Sequence, residues 1–161
     1  MSFSLPGLLL TLAILLPNLL MLLLPPRDMP ERVPDAGIFI TVLERIGQAG
    51  CFVLPALLGG SFNGRPMDLW LALSALCVVA YWAMWARYAI GGRRFRLLFQ
   101  PLWFVPVPMA LFPVLAFGFA AAWGRSPWLG AAAVVLAVGH MMNSWKTYTG
   151  AVRPTGQDRR D

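Results

Sequence analysis

The sequence predicts an all-α integral membrane protein built as a five-helix transmembrane bundle. Of its 161 residues, 58% are hydrophobic and only 12% are charged, whereas soluble domains carry about 25% charged residues. A small soluble chain buries only part of its surface, so this much apolar side chain requires a bilayer. The apolar residues also fall into stretches of the length that a spanning helix needs, about 20 residues.

Five stretches have this length, at about 3–24, 38–60, 67–90, 98–123 and 128–148. The links between them are short and rich in proline, glycine and arginine, so we expect one domain over residues 1–150, followed by a polar tail at 151–161. The first stretch has no basic segment before its apolar run and no small-residue cleavage site. It is therefore expected to be retained as a helix and not removed as a signal peptide.

Basic residues predict how the bundle is oriented. With five spans, the N-terminus and the second and fourth links share one side, which holds Arg65 and Arg125. The other side holds Arg27, Arg32, Arg87, Arg93, Arg94, Arg96, Lys146, Arg153, Arg159 and Arg160. The positive-inside rule places this richer side in the cytoplasm, with the N-terminus outside and the C-terminus inside. The net charge of +6 then fits a face lying against anionic lipid, and no nucleic-acid partner is needed to explain it.

Polar residues within the spans lie at one predicted depth, in the cytoplasmic half. They are Asn18 in the first span, Glu44, Arg45 and Gln48 in the second, residues 81–88 in the third, Gln100 and Trp103 in the fourth, and residues 140–148 in the fifth. The outer halves consist almost entirely of leucine, alanine, valine, phenylalanine and glycine. This pattern predicts a single site in the cytoplasmic leaflet.

Helical spacing predicts which of these side chains share a face. The three sets are Glu44 with Gln48, then Tyr81 with Trp85 and Tyr88, and then His140 with Asn143 and Ser144. Four prolines, at positions 101, 106, 108 and 113, interrupt the fourth span. Irregular backbone at membrane depth is tolerated where it is covered by protein or lines a cavity, so this span is a candidate cavity wall.

Glu44 is the one acid inside a predicted span, since Asp28, Glu31, Asp35, Asp68, Asp158 and Asp161 fall in links, at a helix end or in the tail. An acid within the membrane is costly and usually faces a cavity, which makes Glu44 a candidate functional residue. Explanations that give these residues only a structural role stay open. Glu44 and Arg45 could reach the interface by snorkelling, His140 and Asn18 could make structural hydrogen bonds, and the tryptophans, Trp103 among them, could form an interfacial belt.

Several chemistries lack their signatures. The sequence has no P-loop, GxGxxG, CxxC, DDxxD, DxDD or GxSxG motif, and it has a single histidine, so neither a cofactor nor a metal site is expected. Acid–base chemistry by one carboxyl among aromatic faces remains. A carboxyl held in an apolar site favours its protonated form and can protonate an alkene or epoxide. Tryptophan and tyrosine faces then stabilise the carbocation.

The combination resembles the membrane-bound terpene cyclases, which cyclise farnesyl-bearing indoles or meroterpenoids. The resemblance rests on size, span layout, aromatic content, the acid in LERIGQ (43–48), and the stretches LPN (16–18), PPRDMPE (25–31) and HMMNSW (140–145). It implies a prenyl cyclase, an isomerase, with Glu44 as the acid. The family's larger members have more helices and a second acid, which here must come from the first link or from Asp68.

The predicted site follows from the polar residues at one depth and from the resemblance to the terpene cyclases. Glu44 is the expected proton donor, with its carboxyl fixed by Gln48 and by Asn18 or His140, while Tyr81, Trp85, Tyr88, Trp103, Asn143 and Ser144 bind substrate. The expected partners are a lipid-soluble prenylated small molecule and the lipids of a bacterial plasma membrane. The alternatives are a small transporter or lipid-binding protein that uses the same polar cluster, and a helper subunit without chemistry. Polar groups on one side only favour an enzyme or a one-sided binder over a transporter.

Overall fold

The computed structural model describes residues 2–103 and 105–152, and its regular elements are helices. In chain order they are α1 (Leu5–Leu15), a 3₁₀ turn (Leu16–Asn18), α2 (Leu19–Leu23), α3 (Ile38–Leu57), α4 (Gly59–Phe62), α5 (Leu69–Ile90), α6 (Arg96–Phe99), α7 (Pro108–Gly124), α8 (Pro127–Thr147) and a π turn (Tyr148–Val152). The predicted tail lies outside the described residues from position 153 onward.

Three helical segments are long and apolar enough to cross a membrane: Leu5–Leu23, which includes the 3₁₀ turn, Ile38–Leu57 and Leu69–Ile90. Helix α7 is apolar but has only 17 residues. Helix α8 has 21 residues and is less apolar, because its second half carries the polar residues of 140–147. Large apolar side chains point outward along these helices, as Leu22, Ile38, Leu76 and Val134 do at 63–80% exposure.

The fourth predicted span, 98–123, is wrong as a single helix. Helix α6 ends at Phe99 and α7 begins only at Pro108. Proline has no N–H to donate within a helix, and it biases the preceding residue away from helical backbone, so Pro101 and Pro106 prevent the helix from continuing. The backbone instead makes a turn in which Leu102 and Val105 exchange hydrogen bonds, and Trp103 and Val107 take positive φ angles of 54° and 39°.

The long helical segments alternate in direction. Helix α1 runs antiparallel to α3, because the N–H of Ser4 donates to Ala56 and the hydroxyl of Thr11 donates to Phe52. Helix α5 runs antiparallel to α7, with the buried hydroxyl of Ser74 donating to the carbonyl of Ala116 at 2.8 Å. Helix α8 packs against both α3 and α7, and most residues of α7 are buried.

Two glycines allow α3 and α8 to approach closely. A Cβ placed on Gly47 would lie 2.4 Å from the backbone nitrogen of Leu136, and one on Gly139 would lie 2.5 Å from that of Glu44. Small residues at helix contacts in membranes permit this kind of backbone approach. The approach is antiparallel and sets the start of α3 against the end of α8, so Glu44 lies directly beside the turn of α8 that carries His140.

One end of the bundle gathers the basic residues. The segment 25–37 meets the segment after α5 here, where the N–H of Arg27 donates to Arg93 at 3.0 Å and the N–H of Phe95 donates to Asp28 at 2.6 Å. Thr147, at the end of α8, donates to Pro34 at the same end. All described basic residues except Arg65 and Arg125 belong to the elements of this end, which we call the basic end. This grouping of the links agrees with the predicted one.

Candidate functional site

Glu44 of α3 and His140 of α8 form a partly buried pair. Oε1 of Glu44 lies 2.6 Å from Nδ1 of His140, and the two side chains are 13% and 26% exposed, respectively. The close helix approach at Gly139 brings them together. Two lone pairs would repel at this distance, so a proton lies between the oxygen and the nitrogen.

Asn143 holds the other carboxyl oxygen. Its Nδ2 donates to Oε2 of Glu44, while its Oδ1 accepts from the backbone N–H of Ala36 at 2.8 Å. A backbone N–H can only donate, so Ala36 fixes which end of the amide faces the acid. Asn143 was expected to bind substrate, but the structure makes it a partner of Glu44.

Two residues that were expected to fix the carboxyl have other partners. Gln48 accepts from Nη1 of Arg45 at 3.0 Å on the exposed side of α3. Asn18 accepts from the hydroxyl of Tyr81. The reason is the register of the helix contact, since α8 presents the apolar Leu136 where Gln48 lies and its polar residues only one turn later. Arg45, for which snorkelling to the interface was considered, bonds to Gln48.

A cavity of about 260 Å³ lies toward the basic end, between the pair and α6. It is lined by Asn18, Met21, Tyr81, Trp85, Leu98, Phe99, Met109, Ala110, His140 and Ser144. A second cavity of about 80 Å³ shares Asn18, Tyr81 and His140 with the first and extends toward Ile14, Gln48 and Phe117. The three shared residues therefore stand at the junction of the two spaces. Glu44 contributes to neither lining, so it reaches the cavity only through His140.

Three of the residues predicted to bind substrate line this cavity, namely Tyr81, Trp85 and Ser144. The ring of Trp85 stands edge-on to that of Tyr81, with centroids 6.4 Å apart. Tyr88 is buried outside the lining and donates its hydroxyl to the carbonyl of Leu24 at 2.7 Å. Trp103 is 89% exposed, because the irregular turn before α7 carries it away from the bundle, and the structure does not place it in the cavity.

Sequence reasoning missed about half of the lining. Leu98 and Phe99 come from the four-residue helix α6, which is hidden in a longer apolar stretch and has no periodicity of its own. Met109 and Ala110 open α7 just after the prolines, so the proline cluster was the available signal for a cavity wall. In the described ranges, no three His, Cys, Asp or Glu side chains gather as a metal site needs.

No family model matches the chain, and no curated protein and no solved structure is significantly similar to it. The likeness to membrane-bound terpene cyclases therefore stays a prediction. It rests on the size, span layout, aromatic content and stretches quoted above.

Proposed function

We propose that the chain crosses the plasma membrane five times, with the N-terminus outside and the basic end in the cytoplasm. Three helical segments have the required length and hydropathy, and α7 and α8 continue the alternation of direction. At 1.5 Å per residue, α7 is about 25 Å long, a little less than the roughly 30 Å core. The irregular residues 100–103 and 105–107 complete this crossing. The concentration of basic residues at one end supports the orientation.

We further propose that the protein is a membrane-embedded cyclase that acts by acid–base chemistry on a prenyl chain. The observation that carries this is the pairing of Glu44 with His140 at the wall of a cavity that is mostly apolar and aromatic. Because His140 lines the cavity and Glu44 does not, the roles differ from those expected from the sequence. His140 delivers the proton to the substrate, and Glu44 orients the ring and stabilises its charged form, as carboxylates do for catalytic histidines.

The proposed reaction needs no co-reactant. In its imidazolium form, His140 donates Nδ1–H to the Glu44 carboxylate and presents Nε2–H to the cavity. This proton passes to an epoxide oxygen or an alkene carbon of the substrate, and the epoxide suits an imidazolium better because its oxygen is the more basic acceptor. The electron pair of a neighbouring alkene closes the ring. Loss of a proton from carbon to the neutral imidazole then forms the product alkene and restores the acid.

The cavity wall supports each later step. The faces of Tyr81 and Trp85 stabilise positive charge on the substrate by up to about 2 kcal/mol per contact where water is excluded. The apolar side chains from α6 and α7 keep water from the cation. Net atom balance is that of an isomerisation, since the proton supplied at the start is recovered at the end.

A lipid- or ligand-binding protein is the second candidate. The cavity volume of about 260 Å³ lies just below the 300–1,000 Å³ that is common for small-molecule sites. A cavity of this size could bind part of a lipid or prenyl chain without catalysing a reaction. The cavity lies toward one end of the bundle, which disfavours a transporter that must reach both faces.

Product formation from a farnesylated aromatic and its terminal epoxide, supplied to membranes that contain the protein, tests the proposal. Glu44→Gln and His140→Gln should each lower turnover by about 10²–10⁴-fold, the usual contribution of general acid catalysis. Arg45→Lys, one position away on the exposed side, should stay near the parent. Full activity of Glu44→Gln would sink the mechanism. An inactive parent that still binds these compounds would favour the binding protein.

A further inference from the structure

The basic end contains a buried guanidinium nitrogen without a partner. Arg87 lies in the last turn of α5. Its Nη1 is buried and has no hydrogen-bond partner among the described residues, and its Nη2 reaches Oε1 of Gln100 only at 3.5 Å. A buried charged donor without an acceptor is costly, which indicates that a group absent from the protein itself completes this site.

The position of Arg87 connects this site to the cavity. Nη2 of Arg87 reaches toward Gln100, and Gln100 directly follows the cavity residue Phe99. Three more arginines, at positions 93, 94 and 96, lie in the segment that leads into α6. Asp28 lies against the same segment, where its carboxyl accepts from the N–H of Phe95 at 2.6 Å, so these four arginines outnumber the acid beside them.

We propose that Arg87 and Gln100, with the arginines of 93–96, bind the phosphate or diphosphate group of a molecule whose apolar chain lies in the cavity. This inference rests on the proposed function and names its substrate class, a prenyl chain that carries a phosphate. The planar fork of a guanidinium matches phosphate oxygens in a two-point contact. Four arginines beside a single acid also suit a group with more than one negative charge. The cavity is too small for chain and headgroup together, which leaves the headgroup among the arginines.

Binding of farnesyl phosphate, farnesol and inorganic phosphate to the purified chain in a phosphate-free detergent tests the site. Farnesyl phosphate should bind at least about tenfold more tightly than either other probe, since a hydrogen bond to a charged group contributes about 1.5–3 kcal/mol. Arg87→Gln should remove this advantage and Gln100→Ala should reduce it. Arg65→Gln, at the opposite end, is the matched control and should bind like the parent. Equal affinity of Arg87→Gln and Arg65→Gln, both folded, would overturn the site.

Two further experiments distinguish a prenyl phosphate from a bilayer lipid as the ligand, and the headgroup site from the proposed cyclase function. Short-chain phosphatidylglycerol that displaces farnesyl phosphate at equal concentration would overturn the prenyl assignment in favour of a bilayer lipid. Glu44→Gln should bind farnesyl phosphate as tightly as the parent, which tests the headgroup site even if no cyclisation occurs. Arg87→Gln could still cyclise an uncharged farnesyl substrate as fast as the parent and also bind farnesyl phosphate as tightly as the parent. That result would leave the proposed function standing and would remove the headgroup site.

Discussion

Replacing Gly139 by alanine should separate α3 from α8 at the position of Glu44. The added Cβ would lie 2.5 Å from the backbone nitrogen of Glu44 and 2.6 Å from its Cα, whereas ordinary contact begins at 3.4 Å. The obstructing atoms belong to backbone, so no side-chain rotation relieves the clash. The helices must move apart by about 1 Å, and overpacking of this kind typically costs about 1–3 kcal/mol.

The same displacement should act on the site. An Oε1···Nδ1 distance of 2.6 Å lengthened by about 1 Å leaves the range of a hydrogen bond. Gly139→Ala should therefore lose free energy of unfolding and also weaken the pairing of Glu44 with His140. The first effect is measured by reversible unfolding in mixed micelles, and the second by the chemical shift of the imidazole Nδ1 proton.

Gly118→Ala on α7 is the matched control, because a Cβ there meets no atom within 4 Å. Alanine is favoured over glycine inside a helix by about 1 kcal/mol, so this variant should be as stable as the parent or more so. Equal unfolding free energies for the two variants, with the imidazole proton unmoved in Gly139→Ala, would refute the close approach and the placement of the acid that depends on it.

Three other outcomes can be measured on the same protein. Trp85→Leu should keep the fold and lower turnover by about 30-fold, the equivalent of a 2 kcal/mol cation–π contact; loss of stability alone, seen by circular dichroism during heating, would make the ring a packing residue. Asn143→Ala should lower the free energy of unfolding by about 1–3 kcal/mol, because it strips a partner from Glu44 and from Ala36; an unchanged value in chemical denaturation would contradict the observed contacts. Reporter fusions after Gly64 should be external and those after Gly92 cytoplasmic, and the reverse result would exclude the proposed orientation.

The sequence predicted the helical class and the grouping of the links, and it offered His140 as one of two alternative partners of Glu44. These follow from strong, local signals, which are length, charge asymmetry and the cost of an acid in an apolar stretch. Helical spacing also placed His140 and Asn143 on one face. It could not decide between Gln48, Asn18 and His140 as partners of the acid, and it assigned Asn143 to the substrate, because the choice depends on the depth at which two helices touch.

The missed features depend on contacts between distant segments. The prolines indicated a break, but not that α7 would begin at Pro108 or that the turn before it would carry Trp103 outward. The register of α3 against α8 is set by Gly47 and Gly139, and a glycine in an apolar stretch does not show from sequence alone which neighbour approaches it. The wall formed by α6 likewise exists only once that short helix folds back toward the pair.

The fixed amide of Asn143 has a consequence for the path of protons. Because Ala36 occupies Oδ1, the Asn143 group facing Oε2 of Glu44 is always a donor, and that carboxyl oxygen cannot carry a proton toward it. Any proton on the acid therefore sits on Oε1, on the side of His140. In the proposed cycle, the loop that contains Ala36 is then closed to proton exchange, so the pair gains and loses its proton only on the side of His140 and the cavity.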